Sequence, residues 1–324
     1  MKKNTEITVV IPNYNGIQYI DGCLKALYEG TVVPEVIIID NGSADGSAEL
    51  AEENYPACRL IRFPENRGFC HAVNEGIRLA DTEYVILLNN DTVVDKEFVF
   101  RLWKAIRKRK DAFSVSAKML SMKNPEVIDD AGDLYCALGW AFARGKGKSK
   151  VFYSKPAEIF AACGGAAIYR KDVFGIIGYF DENHFAYLED IDIGYRARIS
   201  GFRNYFEPDA VVLHAGSAVS GSRYNEFKVR LSSKNSIYMI YKNMPGFQIL
   251  LNLPLLTAGF LVKTVFFFRK GMGKTYVRGM KEGLRLCLSE DGEKQRVQFR
   301  TECLGNYIKI QMELWVNLFR RIFG

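Results

Sequence analysis

A chain of 324 residues, 48% hydrophobic and 25% charged, has the ordinary composition of a folded protein and is long enough to bury a substantial core, as one large α/β domain with an appendage or as two domains. The formal charge of +7 is modest, and many Lys and Arg residues lie in the last third beside unusually apolar segments, which favours an anionic membrane surface over nucleic acid. Seven scattered cysteines (23, 58, 70, 136, 163, 287 and 303), with no C-x-x-C pair, indicate neither a disulfide framework nor a zinc site and fit a reducing cytosol.

Met1 to Glu6 lead directly into a strand pattern without the apolar core of a signal peptide, so this part of the chain is expected inside the cell. The β-branched run over residues 7–11 stops at Pro12-Asn13-Tyr14-Asn15-Gly16. Ile20, Leu24 and Leu27 then recur at helical spacing, which reads as strand, loop, helix. A second strand over 36–39 ends in Asp40-Asn41-Gly42-Ser43-Ala44-Asp45-Gly46-Ser47, rich in turn formers and in N-cap candidates for a helix over 48–54. A strand over 59–63, a helix over 74–80 and a strand over 84–88 follow, the last an apolar run that ends abruptly in Asn89-Asn90-Asp91. Strands alternating with helices imply an α/β fold with a mostly parallel sheet covered on both faces.

A helix over 98–110 with a basic end and a strand over 113–117 come next. Between 121 and 155 the periodicity fades, and Gly145-Lys146-Gly147-Lys148-Ser149-Lys150 reads as a flexible basic loop. Order returns over 159–169, then in a helix over 191–199 and a strand over 210–214. Past about residue 236 the character changes. Residues 247–268 carry one charge, Lys263, in 22 residues, enough to cross a hydrocarbon core of about 30 Å, but Asn252, Pro254 and Gly259 interrupt them. A span and a re-entrant or interfacial hairpin are both compatible. Near the C-terminus Ile308, Met312, Trp315, Phe319 and Ile322 share one helical face with Arg320 and Arg321 beside it, the pattern of a helix lying in a membrane interface; a buried accessory helix is the other reading.

Four polar clusters follow predicted strands or open helices: Pro12 to Asn15, Asp40 to Asp45, Asn89 to Asp91, and Glu189-Asp190-Ile191-Asp192. Parallel strands end on one side, so these clusters converge at one rim, where open α/β sheets bind ligands. Asp91 suits a hard divalent cation that also binds a diphosphate, or else opens an Asx turn. Asp40 can accept from the N3–H of a pyrimidine, with Gly42 and Gly46 letting backbone approach a nucleotide, and the Arg67 guanidinium can pair with a phosphate. Glu189 and Asp190 stand among Phe185, Tyr187 and Leu188, surroundings that raise a carboxylate toward the range of a general base; helix capping is the competing use. His214 closes a strand, as a metal ligand beside Asp91 or as a plain polar terminus. Cys163-Gly164-Gly165 marks a close backbone approach, and no evident His partner supports a nucleophilic Cys163.

Val9-Val10-Ile11-Pro12-Asn13-Tyr14-Asn15, Ile39-Asp40-Asn41-Gly42-Ser43, Glu65-Asn66-Arg67-Gly68-Phe69, Leu88-Asn89-Asn90-Asp91 and Tyr187-Leu188-Glu189-Asp190-Ile191-Asp192, in this order, resemble glycosyltransferase family 2, in particular bacterial rhamnosyltransferase-like enzymes of cell-surface polysaccharide assembly. The resemblance covers about residues 5 to 220. It implies a GT-A fold, an inverting transfer from a dTDP- or UDP-sugar (L-rhamnose from dTDP-rhamnose as the best guess) and Mg²⁺ or Mn²⁺. Carried over, Pro12, Tyr14 and Asp40 would hold the nucleoside, Arg67 would lie near the phosphates, and Asp91 would hold the metal within a DXD-like motif that here reads Asn89-Asn90-Asp91, with His214 sharing it. Asp190 would be the base and Glu189 would position the acceptor. The expected division is a catalytic domain over 1–235, with a nucleotide-sugar half (about 5–118) and an acceptor half (about 119–235), and a helical membrane-associating region over 236–324. The acceptor would be a saccharide on a polyprenyl diphosphate at the inner face of the cytoplasmic membrane, the enzyme being peripheral or monotopic there; a homo-oligomer is compatible and nucleic acid is not a partner. A sugar nucleotidyltransferase would want a Gly-rich triphosphate loop with a basic residue near the N-terminus, which Pro12 to Gly16 lack. A catalytically silent recruiting subunit is disfavoured by intact Asp91 and Asp190.

Overall fold

The structure, a computed structural model, describes residues 2–216 and 224–323. Its first half alternates as expected: β1 (Lys2–Asn13), α1 (Ile20–Tyr28), β2 (Val32–Asp40), α2 (Ser47–Asn54), β3 (Arg59–Arg62), α3 (Phe69–Leu79) and β4 (Tyr84–Leu88). β1 pairs in parallel with β2 and β4, and β2 with β3, so these strands finish at one rim, with Asn13 directly beside Asp40. All five residues of β4 are buried because both faces are covered: Ile86 and Leu88 join a cluster with Leu24 and Leu102, Val85 and Leu87 one with Val73 and Ile193. The helix expected over 74–80 begins five residues earlier, at Phe69. Gly68, at φ +89°, turns the chain there, and its N–H is satisfied by Asn66 Oδ1 at 2.9 Å.

Beyond β5 (Thr92–Val94), α4 (Phe98–Arg107) and β6 (Ala112–Ser121), the stretch read as irregular is ordered: β7 (Asn124–Asp130) folds back on β6, and β8 (Asp133–Cys136) pairs with β9 (Trp140–Ala143). The basic loop is pinned, with Lys146 on Asp129 and Lys150 on Glu126, each at 2.7 Å. Short edge strands have too few residues to print a period, so only tertiary pairing reveals them. After β10 (Ala157–Ile159) come β11 (Ala166–Arg170), α5 (Lys171–Ile177), α6 (Glu189–Ile199) and β12 (Arg203–His214). The sheet order is β10-β12-β6-β11-β4-β1-β2-β3, with β5 on β12 and β7 on β6. β11 is antiparallel to both its neighbours. Its beginning therefore lies where the parallel strands end, which brings Cys163-Gly164-Gly165 to the ligand-binding rim.

The chain closes with α7 (Glu226–Asn243), which passes through residue 235 without a break, then α8 (Gly246–Arg269), α9 (Gly273–Cys287), α10 (Glu290–Lys294) and α11 (Leu304–Phe323). α8 is one continuous helix, so the hairpin reading of 247–268 does not hold. Pro254 sits on its outer face, Asn252 Nδ2 donates within the helix to Gln248 O, and Gly259 lets the helix press against the Leu138 carbonyl. Asn252 and Gln311 exchange two side-chain bonds of 2.8 Å, and Tyr195 donates to Gln248 at 2.5 Å, which ties the inner face of α8 to α11 and α6. Its outer face exposes Leu250, Leu253, Leu261, Val262, Val265 and Phe268. α11 is two-sided as well: Tyr307, Ile310 and Leu314 pack inward, while Ile308, Met312, Phe319 and Ile322 are exposed and Trp315 is partly buried.

Candidate active site

The first part of the rim is held by a network of side-chain hydrogen bonds. Asn13 is its hub: Nδ2 donates to Asp40 Oδ1 and Ser47 Oγ, both at 2.8 Å, and Oδ1 accepts from Asn90 Nδ2 at 2.7 Å. Asp40 is buried and its other oxygen accepts from the Ser43 N–H at 3.1 Å, so it orders the loop as well as lining it. Gly42, at φ +78°, presses on the Glu65 backbone, 2.8 Å from where a Cβ would sit, and no side chain fits there. Asn41 joins the next loop, accepting from the Arg67 N–H and donating to Asn66 Oδ1, each at 3.0 Å. Arg67 is thereby fixed by its backbone while its side chain stays exposed, and Tyr14 stands exposed beside half-buried Pro12.

At the end of β4, Asn89 donates its N–H to Gly165 O at 2.9 Å, and Asp91 O accepts from the Ala215 N–H at 3.0 Å. β5 pairs with β12, which brings His214 against Thr92 and its Nε2 to 3.3 Å from Asp91 Oδ1. His214 Nδ1 meets Asp129 Oδ2 at 2.7 Å, and Asp129 also holds Lys146. Burial by itself would lower His214, but its bonds to Asp129 and Asp91 outweigh it and lift the imidazole to about 9. Burial pushes Asp129 up, yet His214 and Lys146 hold it at about 2. The imidazole so bridges two carboxylates as an ion pair; a carboxylate behind an imidazole is also how ligating histidines are oriented, so Asp91 and His214 could hold a divalent ion, whose binding would compete with the imidazole proton.

The remaining side is acidic. Asp190 Oδ1 accepts from the Gly164 N–H at 3.0 Å, so Gly164 and Gly165 run from the base of α6 to the end of β4 and join both acid sites to one rim. Ligand atoms of Asp130, Asp133 and Cys163 lie within 4.8 Å of one another nearby. Burial raises Asp190 well above the carboxylate range, with the charge of Glu189 adding to it, and burial lifts Glu189 to about 7. Glu189 Oε2 has no hydrogen-bond partner among the described residues. Burial also pushes the Cys163 thiol up, which disfavours a thiolate nucleophile. Asp192 turns the other way, into the core, where Arg196 Nη2 (2.8 Å), Lys242 Nζ (3.0 Å) and Asn243 Nδ2 (2.8 Å) surround it. The rim thus gathers Pro12, Tyr14, Asp40, Arg67, Asn89, Asn90, Asp91, His214, Glu189 and Asp190, and leaves Asp192 out. Asp129, Asp130, Asp133 and Lys146 were missed; three acids within the five residues Asp129-Asp130-Ala131-Gly132-Asp133 were the signal for the first three.

Residues 8–177, more than half of the chain, match the family Glycosyl transferase family 2. The chain belongs to glycosyltransferase family 2. This family 2 enzyme is 27% identical over 233 residues to an N-acetylglucosaminyl-diphospho-decaprenol L-rhamnosyltransferase of Mycobacterium tuberculosis, covering 64% of this chain and 75% of the relative. It is 28% identical over 180 residues to a poly-beta-1,6-N-acetyl-D-glucosamine synthase of Staphylococcus epidermidis, covering 55% of this chain and 42% of that protein. Among solved structures it is similar in fold to S. aureus TarS 1-349 in complex with UDP-GlcNAc (TM-score 0.58, 16% identity, 95% of this chain and 89% of that one). It is also similar to the mannosyltransferase PcManGT from Pyrobaculum calidifontis in complex with GDP-Man and Mn²⁺ (TM-score 0.54, 17% identity, 95% and 84%). The protein is a glycosyltransferase of GT-A fold.

Proposed function

We propose that this glycosyltransferase moves a sugar, L-rhamnose from dTDP-rhamnose as the first candidate, onto a hydroxyl of a polyprenyl-diphosphate-linked saccharide, with inversion, during cell-surface polysaccharide synthesis. The observation that supports the reading is the Gly164-Gly165 segment, which hydrogen-bonds Asp190 on one side and Asn89, two residues before Asp91, on the other. The activity named for the mycobacterial relative supports the choice of donor and acceptor.

Inverting transfer is a direct displacement, so one base suffices. Asp190, raised by burial and by Glu189, takes the proton of the acceptor hydroxyl as the new bond forms. Glu189, next to Asp190 at the start of α6, helps position the acceptor. Tyr14 and Pro12 flank the nucleoside, Asp40 accepts from the base, and exposed Arg67 meets the phosphates. Asn90 holds Asn13 and hence the donor loops, while Asn89 faces the sugar beside Gly165. Asp91 and His214 would hold Mg²⁺ or Mn²⁺, which supplies charge neutralisation on the departing diphosphate.

α8 is the one helix among the described residues long and apolar enough to cross a membrane, and 17% of an apolar 18-residue stretch of it is buried. With its inner face pinned by Gln248 and Asn252, the reading is an enzyme lying on the cytoplasmic membrane face through the outer sides of α8 and α11, the region past residue 235 serving as the membrane-associating part. Mass-spectrometric screening of dTDP- and UDP-sugars against a short-chain GlcNAc diphosphoryl lipid, with and without Mn²⁺, tests the chemistry. Metal-dependent transfer is expected and EDTA should abolish it; turnover only with a nucleoside triphosphate, as a nucleotidyltransferase requires, would sink the reading.

A further inference from the structure

We propose that Asn235 of α7 is a positioning residue for the Asp190 carboxylate, clamping the strained turn that delivers it. The inference rests on the reading of Asp190 as the base. Three non-glycine residues just before Glu189 and Asp190 have positive φ: Phe185 (64°), Tyr187 (71°) and Leu188 (69°). Phe185, with ψ −61° and the Ala186 N–H bonded to His184 O at 2.8 Å, forms a γ-turn of the rare, strained hand. Positive φ is disfavoured for residues with a Cβ, so the turn persists only if its surroundings impose it.

Its carbonyls show what imposes it. Asn235 Nδ2 donates to His184 O (3.0 Å), Ala186 O (2.9 Å) and Tyr187 O (2.7 Å). Phe185 O, the one skipped, accepts from the Cys70 N–H at 3.2 Å, Lys234 Nζ reaches Asn183 O at 2.6 Å, and Leu188 O takes the first helical bond, from Asp192 N–H at 3.0 Å. Every carbonyl from 183 to 188 is thus accounted for, three of them by one fully buried side chain. Asn235 Oδ1 has no partner among the described residues, so the side chain is oriented by what its amino group donates to. α7 cannot easily shift, because Gly279 and Gly283 bring α9 against the Arg230 and Lys234 carbonyls. Leu188, the N-cap of α6, makes no side-chain cap, so the turn alone aims the first helical residues at Gly164.

The test uses the full chain and the variants Asn235→Ala, Leu188→Gly and their combination. Hydrogen exchange over 184–190 is read alongside transfer kcat and calorimetric donor affinity, with dTDP-rhamnose and the GlcNAc diphosphoryl lipid or whichever pair the wild type turns over. Asn235→Ala is expected to speed exchange there and to lower kcat by about 10- to 100-fold, as a misplaced base would, with donor affinity within about twofold. Leu188→Gly, which removes the cost of positive φ, should restore kcat several-fold in the Asn235→Ala background. Unchanged exchange and kcat, equal loss of donor affinity, or no rescue by Leu188→Gly would overturn the proposal. If Asn235→Ala does not fold, Asn235→Ser, which keeps one donor, is judged by the same criteria. Full transfer by Asp190→Asn would instead overturn the base assignment, leaving the exchange result to judge the turn.

Discussion

The first turn of α6 carries acids with opposite fates. Burial pushes Glu189 up to about 7 and raises Asp190 well above its ordinary value, and the nearest charges, being other acids, add to both shifts. One helical step on, Asp192 is also buried, but Arg196 and Lys242 outweigh desolvation and hold it far below the carboxylate range. The difference teaches that a carboxylate's role follows from its partner. With cations around it, it is a structural anion; buried among other acids, it holds its proton to higher pH.

The largest break expected is in function: Asp190→Asn should lower transfer by about 10³-fold while calorimetry finds donor affinity unchanged. Its melting temperature should not drop at neutral pH, because a disfavoured charge has gone. Next comes the core side. Lys242→Met takes from Asp181 the ammonium 2.7 Å away and leaves Asp192 with Arg196 as its remaining close cation, and should cost roughly 3–5 kcal/mol in denaturant unfolding, since breaking a buried pair leaves its partner uncompensated.

The pH dependence sharpens the same contrast. For both Asp192 and Asp181 burial acts upward, but the cations, Lys242 above all for Asp181, prevail and lower the folded pKa. Such a group's contribution is complete above the unfolded value of about 3.9 and is lost as pH falls through and below it. Thermal stability should therefore fall below about pH 4, and the steepness of that fall should be reduced in Asp192→Asn. The smallest effect is expected from Glu189→Gln: removing the charge that raises Asp190 should move the acid limb of the kcat profile to lower pH, by about half a unit to one unit. An acid limb that stays in place would mean that Asp190 is raised by burial alone.

Much of the donor side could be read in advance because it is local. Asn13 and Asp40 close their strands and Asn90 lies two residues past the end of β4, and parallel strands end together whatever their neighbours, so their convergence needed only the pattern of strands and helices. Asn89-Asn90-Asp91 stood out because β4 is buried on both faces and its apolar run stops at the rim. Asn235 was illegible: it is one polar residue on a helix, and its value comes from three carbonyls about fifty positions away. The continuity of α8 was equally hidden, since the close approach at Gly259 and the Asn252–Gln311 pair exist only once α11 and Leu138 are in place.

By itself the sequence determined an α/β sheet, its polar rim and the family's run of motifs, because periodicity and turn chemistry act between residues near in the chain. The tertiary structure alone decided the antiparallel insertion of β11, the seating of Asp129 behind His214 and the opposite surroundings of Asp190 and Asp192. Those depend on which distant charges and carbonyls arrive at each side chain, and in a buried, weakly screened setting such neighbours outweigh any local preference.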